Sequence, residues 1–339
     1  MRVSRAAVVA GFIAMLSVNC SKAPAWEALP LGTSADFRDI WFTDADHGWI
    51  AGGGFDITGG LIGRTTDAGK TWRFTSNLTT RERMSAQALH VFDSGRVIVA
   101  AGNGAILSTT DNGDNWTSAV RRGDVSSLST LFFLDQRHGW AAGHGDVLVT
   151  DDAGETWTPL TPEGVDTSYR PQIRAIYFRD EHRGWAAGMT ASLTRTADGG
   201  ITWEKASTPL AAGEHPDFWD MFFIDEQTGW VVGEEGTILA TLDGGDTWTR
   251  QSTGLKGDFT ITAVRFLTAS RGWITGFHPG LGRSLILKTE DAGATWVMDA
   301  DIAGEELYTL FIRDREQLWA IGARVRPGPQ SIYRRALTK

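Results

Sequence analysis

The sequence predicts an all-β protein, a seven-bladed β-propeller of four-stranded antiparallel blades whose ring is closed by the N-terminal strand. Three observations carry that prediction. The eight-residue pattern Thr-x-Asp-x-Gly-x-(Thr/Asn)-Trp occurs six times at intervals of roughly 45 residues, at Thr65 to Trp72, Thr109 to Trp116, Thr150 to Trp157, Thr196 to Trp203, Thr241 to Trp248 and Thr289 to Trp296. A strand-like run, Gly-Trp-(Ile/Ala/Val)-x-Gly, precedes most of these tryptophans by about seventeen to twenty-three residues. A fixed period of that length with several strands per repeat is the signature of propeller blades. The last repeat, Leu307 to Ala336, lacks the eight-residue turn, whereas Trp26 stands one period before Trp72. Trp26 to Pro30 therefore reads as the fourth strand of the last blade, a clasp that leaves no open sheet edge.

One repeat justifies each element. Ile173 to Asp180 is apolar at near-alternate positions and ends in the polar turn Glu181 to Gly184. Trp185 to Gly188 is a second short strand, Ala191 to Thr196 a third, and Trp203 opens a fourth after the turn. In the turn, Asp198 and Thr196 are expected to bond the local backbone, Gly200 to take a conformation other residues avoid, and Trp203 to lie flat between blades. The equivalent aspartates are Asp67, Asp111, Asp152, Asp198, Asp243 and Asp291. A whole blade separates each from the next, so they read as structural fasteners rather than calcium ligands or catalytic acids.

The fifteen tryptophans sort along the same lines. Six close the turns. Trp49, Trp140, Trp185, Trp230, Trp273 and Trp319 form the Gly-Trp column, with Leu318 replacing the glycine before Trp319 and Val99 expected to hold the position in the second repeat. Trp41 and Trp219 fall outside both columns.

With 42% hydrophobic residues, 40 Gly and 10 Pro, the chain reads as globular and turn-rich, with one domain at 26–339. Residues 1–25 read as a signal peptide, Arg2 and Arg5 preceding the apolar run from Ala6 to Val18. Cys20 ends that run as in a bacterial lipoprotein box and is the expected lipidation site; ordinary cleavage after Ala23-Pro24-Ala25 is the competing reading. Export leaves no disulfide partner, and without Arg2 and Arg5 the balance is 30 basic against 41 acidic residues. Such an acidic chain is a poor partner for nucleic acid or anionic lipid.

The pairing of the Gly-Trp strand with the Asp-box turn, over residues 26 to 336, resembles the photosystem II stability/assembly factor-like propellers of the wider BNR/Asp-box superfamily. Founding members of that family help assemble the photosystem II reaction centre by binding its early subunits, and use an arginine-rich patch to do so. The resemblance implies a non-enzymatic binding scaffold, exported and periplasmic or membrane-anchored, monomeric and without cofactor, whose client is a membrane or envelope protein.

Propeller topology places the loops between blades, and those between strands two and three, on one face, here the top. Aligning the seven innermost strands puts Arg38, Ala88, Ser129, Arg174, Trp219, Thr262 and Tyr308 at their top ends. Asp39, Leu89, Thr130, Ala175, Asp220, Ala263 and Thr309 follow. Residues that break the small or apolar pattern, namely Arg38, Asp39, Arg174, Trp219, Asp220 and Tyr308, are candidates for a binding site. Nearby top loops add Arg81, Arg83, Tyr169, Arg170, His215, Asp217 and the segment Phe277 to Arg283. Aromatics with arginines around a concave mouth suit a peptide segment or an anionic small molecule. The alternative is that these side chains pair with one another and plug the channel. His47, His138 and His182 read as caps of one equivalent bottom turn, and no metal site is expected.

Two other functions stay open. Sialidases share Asp boxes, and Arg38, Arg174 and Tyr308 would have to converge as parts of such a site, although no Phe/Tyr-Arg-Ile-Pro stretch lies early in the chain. Glycan binding without turnover would use Trp219 and Tyr308 as stacking platforms.

Overall fold

The computed structural model describes residues 25–53, 60–75, 85–120, 125–160, 172–255, 258–313, 317–325 and 330–337. Seven four-stranded antiparallel sheets follow one another around a ring. In blade 1 the strands run Phe37–Phe42, Gly48–Gly52, Leu61–Thr65 and Arg73–Thr75, from the channel outward. The strand Glu27–Pro30 pairs antiparallel with Ser331–Ala336, Glu27 opposite Arg334, and so completes blade 7 as the outermost strand. The clasp is bonded further by Leu31 N–H to the Gln330 carbonyl at 2.8 Å and by Arg334 to the Glu27 carboxylate at 2.6 Å.

The second strand is buried throughout in blades 1 to 5 and over all but its ends in blades 6 and 7, which accounts for its near-continuous apolar sequence. The Asp boxes are built alike. Thr196 Oγ1 donates to Asp198 Oδ1 at 2.8 Å and accepts the Gly200 N–H at 2.9 Å. The other end of the box closes on the same carboxylate, which accepts Thr202 N–H at 2.8 Å and Thr202 Oγ1 at 2.6 Å. Gly200 has φ 99°, where a side chain is strained.

Where a tryptophan stacks flat on the next blade it belongs to the Gly-Trp column rather than to the box; between blades 4 and 5 Trp185 is tilted at 37° on Phe223, and Tyr177 makes the flat contact at 4.3 Å and 10°. Trp140 stacks on Phe178 of the next blade at 3.7 Å and 6°, Trp230 on Phe266 at 3.5 Å and 7°, and Trp319 on Phe42 at 4.1 Å and 12°. The closing tryptophans meet a phenylalanine of their own blade edge-on, Trp203 against Phe178 at 78° and Trp248 against Phe223 at 82°. Blades 1, 4 and 6 thus each present one phenylalanine with two tryptophans around it, its face to the preceding blade and its edge region to its own turn.

Blade 2 departs from the expected alignment by one residue. Val97 pairs with Val91 and Ile98 with His90, as Gly48 pairs with Phe42 and Trp49 with Trp41. Ile98, not Val99, therefore occupies the tryptophan position, and a Cβ on Gly154 of the next blade would meet its side chain. The physical reason lies in matched volumes. Where the innermost strand offers phenylalanine, a Cβ opposite would lie 2.6 Å from the ring at Gly48, 2.4 Å at Gly139 and 2.6 Å at Gly184, so only glycine fits. Where it offers Val91 or Ile312, the opposite residue is Val97 or Leu318.

A smaller shift affects the bottom turns. His47 and His138 bond Asp44 and Asp135 through Nδ1, each at 2.8 Å. In blade 4 that place belongs to Arg183, whose Nε donates to Asp180 at 2.7 Å, and His182 lies one residue earlier.

A candidate binding arc at the mouth of the channel

Every innermost strand carries a β-bulge at its top end, where the register skips one residue opposite the second strand. The skipped residues are Arg38, Gln87, Ser129, Arg174, Trp219, Thr262 and Tyr308. A bulge leaves its extra residue outside the ladder and re-aims the side chain. The break-of-pattern column is thus a ring of bulge residues, and Gln87 replaces Ala88 in it. The column after it contains Ala88 in place of Leu89, the same one-residue shift as in the second strand of this blade.

Four of the candidate residues come together in pairs. The Arg174 guanidinium lies 3.8 Å from the centre of the Trp219 ring, and the Arg38 guanidinium 4.1 Å from that of Tyr308. Phe277, at the top end of the second strand of blade 6, joins the pairs. Its ring meets Trp219 at 6.4 Å and 86°, and Tyr308 at 6.4 Å and 87°. The result is an arc, Arg174, Trp219, Phe277, Tyr308, Arg38, spanning blades 4 to 7 and blade 1. Phe277 belongs to a loop the sequence marks as a top-face feature, but its place between the two aromatics depends on how blade 6 is lengthened. Its second strand runs on to His278 and its third begins at Arg283.

The arc is held from outside the channel. Arg174 Nη2 bonds Asp217 Oδ2 at 3.2 Å, and Asp217 Oδ1 accepts the Thr190 N–H at 2.9 Å. Burial pushes the Arg174 guanidinium below its usual range; Asp217 and Glu234 oppose that, and the Arg38 charge adds to it. The two guanidinium groups therefore sense one another across the mouth. Burial pushes the Tyr308 hydroxyl up to about 12, and this hydroxyl donates to Glu306 Oε2 at 3.2 Å.

Asp39 and Asp220 do not join the arc. Their carboxylates turn into the channel and tie neighbouring innermost strands together. Asp39 Oδ2 accepts the Leu89 N–H at 2.8 Å, and Asp220 Oδ2 accepts the Val264 N–H at 2.9 Å. Burial raises both acids, Asp39 to about 6. His215 is exposed. Arg170, Tyr169, Arg81, Arg83 and Cys20 lie outside the described residues.

Below the arc the channel encloses about 500 Å³ and is lined by Trp41, His90, Phe132, Tyr177, Phe222, Arg265 and Phe311, one from each blade. This collar is two positions down the same strands from Asp39 and its equivalents, below the strand tops that the sequence singles out.

Comparison with known proteins agrees with this architecture. The family described as photosynthesis system II assembly factor YCF48 matches residues 18–122 and 212–307, more than half of the chain. A curated relative, the photosystem II assembly lipoprotein Ycf48 of Synechococcus sp. (strain CC9902), is 29% identical over 110 residues, 32% of this chain and 31% of the relative. The aligned part thus spans about a third of that relative's length. A solved structure described as YCF48 bound to D1 peptide superposes with a TM-score of 0.72 at 20% identity, covering 96% of this chain and 100% of the other. YCF48 from Cyanidioschyzon merolae superposes with a TM-score of 0.68 at 20% identity over 92% of this chain and 98% of the other. At such identity these two likenesses speak to the fold.

Proposed function

This chain belongs to the photosystem II assembly factor YCF48 family, and from that membership we propose that it is a non-enzymatic scaffold that recognises a segment of a membrane or envelope protein through the top face. The arc of Arg174, Trp219, Phe277, Tyr308 and Arg38 carries the proposal. Two guanidinium groups pre-oriented on aromatic faces offer planar, two-pronged donors to carboxylates and carbonyls of a bound peptide, with apolar rings between them. The solved relative described as bound to D1 peptide supports a peptide segment as the kind of client. In the same reading residues 1–25 direct export and Cys20 carries a lipid, with the propeller on a short tether. The family match from residue 18 and the curated relative's description as a lipoprotein support this.

The enzymatic alternative fares worse on the chemistry. A tyrosine nucleophile needs its hydroxyl activated, and burial pushes Tyr308 the opposite way. A sugar platform needs an uncovered aromatic face, yet Trp219 and Tyr308 each carry a guanidinium on one.

The test is a cross-linked pull-down of the tagged protein from detergent-solubilised envelopes, beside a folded Arg174→Glu/Trp219→Ala variant. A client recovered with the parent and reduced at least about tenfold with the variant, as for loss of a hot spot, is the expected result. Equal recovery by both would place the binding surface elsewhere.

A further inference from the structure

Blades 1 and 5 contain the same device in their innermost strands, and only one of the two is complete. In blade 5 the Asp220 carboxylate accepts Met221 N–H at 2.9 Å and Val264 N–H of blade 6 at 2.9 Å. The residue after Val264 is Arg265, whose Nη1 bonds Asp220 Oδ2 at 2.5 Å and whose guanidinium lies 5.7 Å from the Phe222 ring centre. A cation thus sits between a carboxylate and an aromatic ring. In blade 1 the Asp39 carboxylate accepts Ile40 N–H at 2.8 Å and Leu89 N–H of blade 2 at 2.8 Å. Trp41 takes the place of Phe222, and the residue after Leu89 is His90. The His90 ring packs on Trp41 at 4.8 Å and Phe133 at 4.6 Å. Burial pushes it down to about 4, so it is neutral near pH 7. Among the described residues Asp39 makes no ion pair, while each of its oxygens retains a lone pair after its backbone bond. The equivalent positions in the other five blades, Ala88, Thr130, Ala175, Ala263 and Thr309, hold no carboxylate.

We propose that the channel binds a small organic cation, an alkylguanidinium or alkylammonium group, between the Asp39 carboxylate and the Trp41 ring. The Asp220–Arg265–Phe222 arrangement is the protein's own example of that chemistry. Tryptophan is the best aromatic face for a cation, and the remaining collar, Phe311 and Phe132 among it, accepts the ligand's hydrocarbon. The other charged and titratable groups facing the channel are Asp220, Arg265, Arg174, His90 and Tyr177. Arg265 and Arg174 are paired to Asp220 and Asp217; the Arg265 charge also acts on Asp39 and the Asp220 charge opposes it, but among the described residues neither arginine makes an ion pair with Asp39. Since burial holds Asp39 at about 6, its ionised fraction, and with it the affinity, should rise about tenfold from pH 5 to pH 8.

Isothermal titration of the mature protein with butylguanidinium and with tetramethylammonium chloride tests the proposal. Saturable one-to-one binding is expected, at least about tenfold weaker in Asp39→Asn. It should be abolished in His90→Arg, which supplies the missing guanidinium from within and should raise the melting temperature. No saturable binding at millimolar concentration, or binding unchanged in His90→Arg, would overturn it, and the second variant keeps the test valid should Asp39→Asn fold poorly. An arginine-containing peptide that competes with butylguanidinium assigns the cation to a client side chain; one that does not compete assigns it to a free small molecule. Client recovery by the arc variants is a separate readout, so either idea can fail alone.

Discussion

A Cβ added at Gly184 would stand 2.6 Å from the Phe178 ring, and the same glycine–phenylalanine opposition recurs at Gly229 and Phe223 and at Gly272 and Phe266. Blades 2 and 7 resolve it with two aliphatic residues instead. Gly184→Val should therefore cost about 1–3 kcal/mol by overpacking, and much of that cost should vanish when Phe178→Val is made beside it. Urea denaturation of both single variants and the double checks this; strictly additive costs would refute the pairing. The tryptophans divide in the same way. Trp140 is 2% exposed, stacks flat on Phe178 and donates its indole N–H to the Gly199 carbonyl at 2.9 Å. Trp140→Ala should cost about 3–5 kcal/mol, and Trp203→Ala, at a half-buried edge-on site, clearly less. Equal losses in the same denaturation experiment would restore the flat role to Trp203. The columns themselves were readable in the sequence, because tryptophan at a fixed offset from glycine is rare enough to mark a repeat. Which column stacks was not, since both motifs sit one strand away from the same phenylalanine.

At the scale of elements, the clasp decides whether the ring is closed. Leu29 within the strand and Leu31 just after it are buried, and the strand pairs along its whole length with Ser331–Ala336. Deleting residues 27–31 should open blade 7 to three strands with a bare edge. We expect a lower melting temperature and concentration-dependent self-association in size-exclusion chromatography. A monomer with unaltered melting would show that closure does not depend on the clasp. This element was legible because Trp26 keeps the repeat's phase while the last repeat lacks its turn. Blade 2 was not legible to the residue. With Val97 and Ile98 where other blades have glycine and tryptophan, no landmark holds the alignment, and hydrophobic alternation tolerates a shift of one. The bulges escaped for a related reason. A bulge is a property of two paired strands, and one strand's sequence does not display it.

For the whole molecule, pH sorts the carboxylates into two groups. Bonds from the Thr247 hydroxyl, then from its N–H, hold Asp243 at about 2, and the other box aspartates are also lowered. Their contribution is present above the unfolded value near 4 and is lost as pH falls toward 2. Glu305 behaves oppositely. Burial raises it to about 7, against its bond to Tyr333 and the Arg324 charge. Its contribution is complete below about 4 and is lost as pH rises through 7. His90, lowered by burial, pulls the other way over part of that range, so the parent's profile alone is not diagnostic. Glu305→Gln is. Its stability relative to the parent should grow from pH 4 to pH 8 by on the order of 2 kcal/mol, read from melting or urea curves. A difference that stays flat with pH would mean that Glu305 ionises in the fold as freely as outside it. By itself the sequence determined the architecture: seven blades, their four strands, the turns that fasten them and the strand that closes the ring, because each repeats a local pattern whose physics is local. Only the tertiary structure decided which residues meet at the channel. Arg174 finds Trp219, Phe277 bridges Trp219 and Tyr308, and His90 packs on Trp41 at the position from which Arg265 pairs with Asp220, because those neighbours come from different blades and are brought together by ring closure alone.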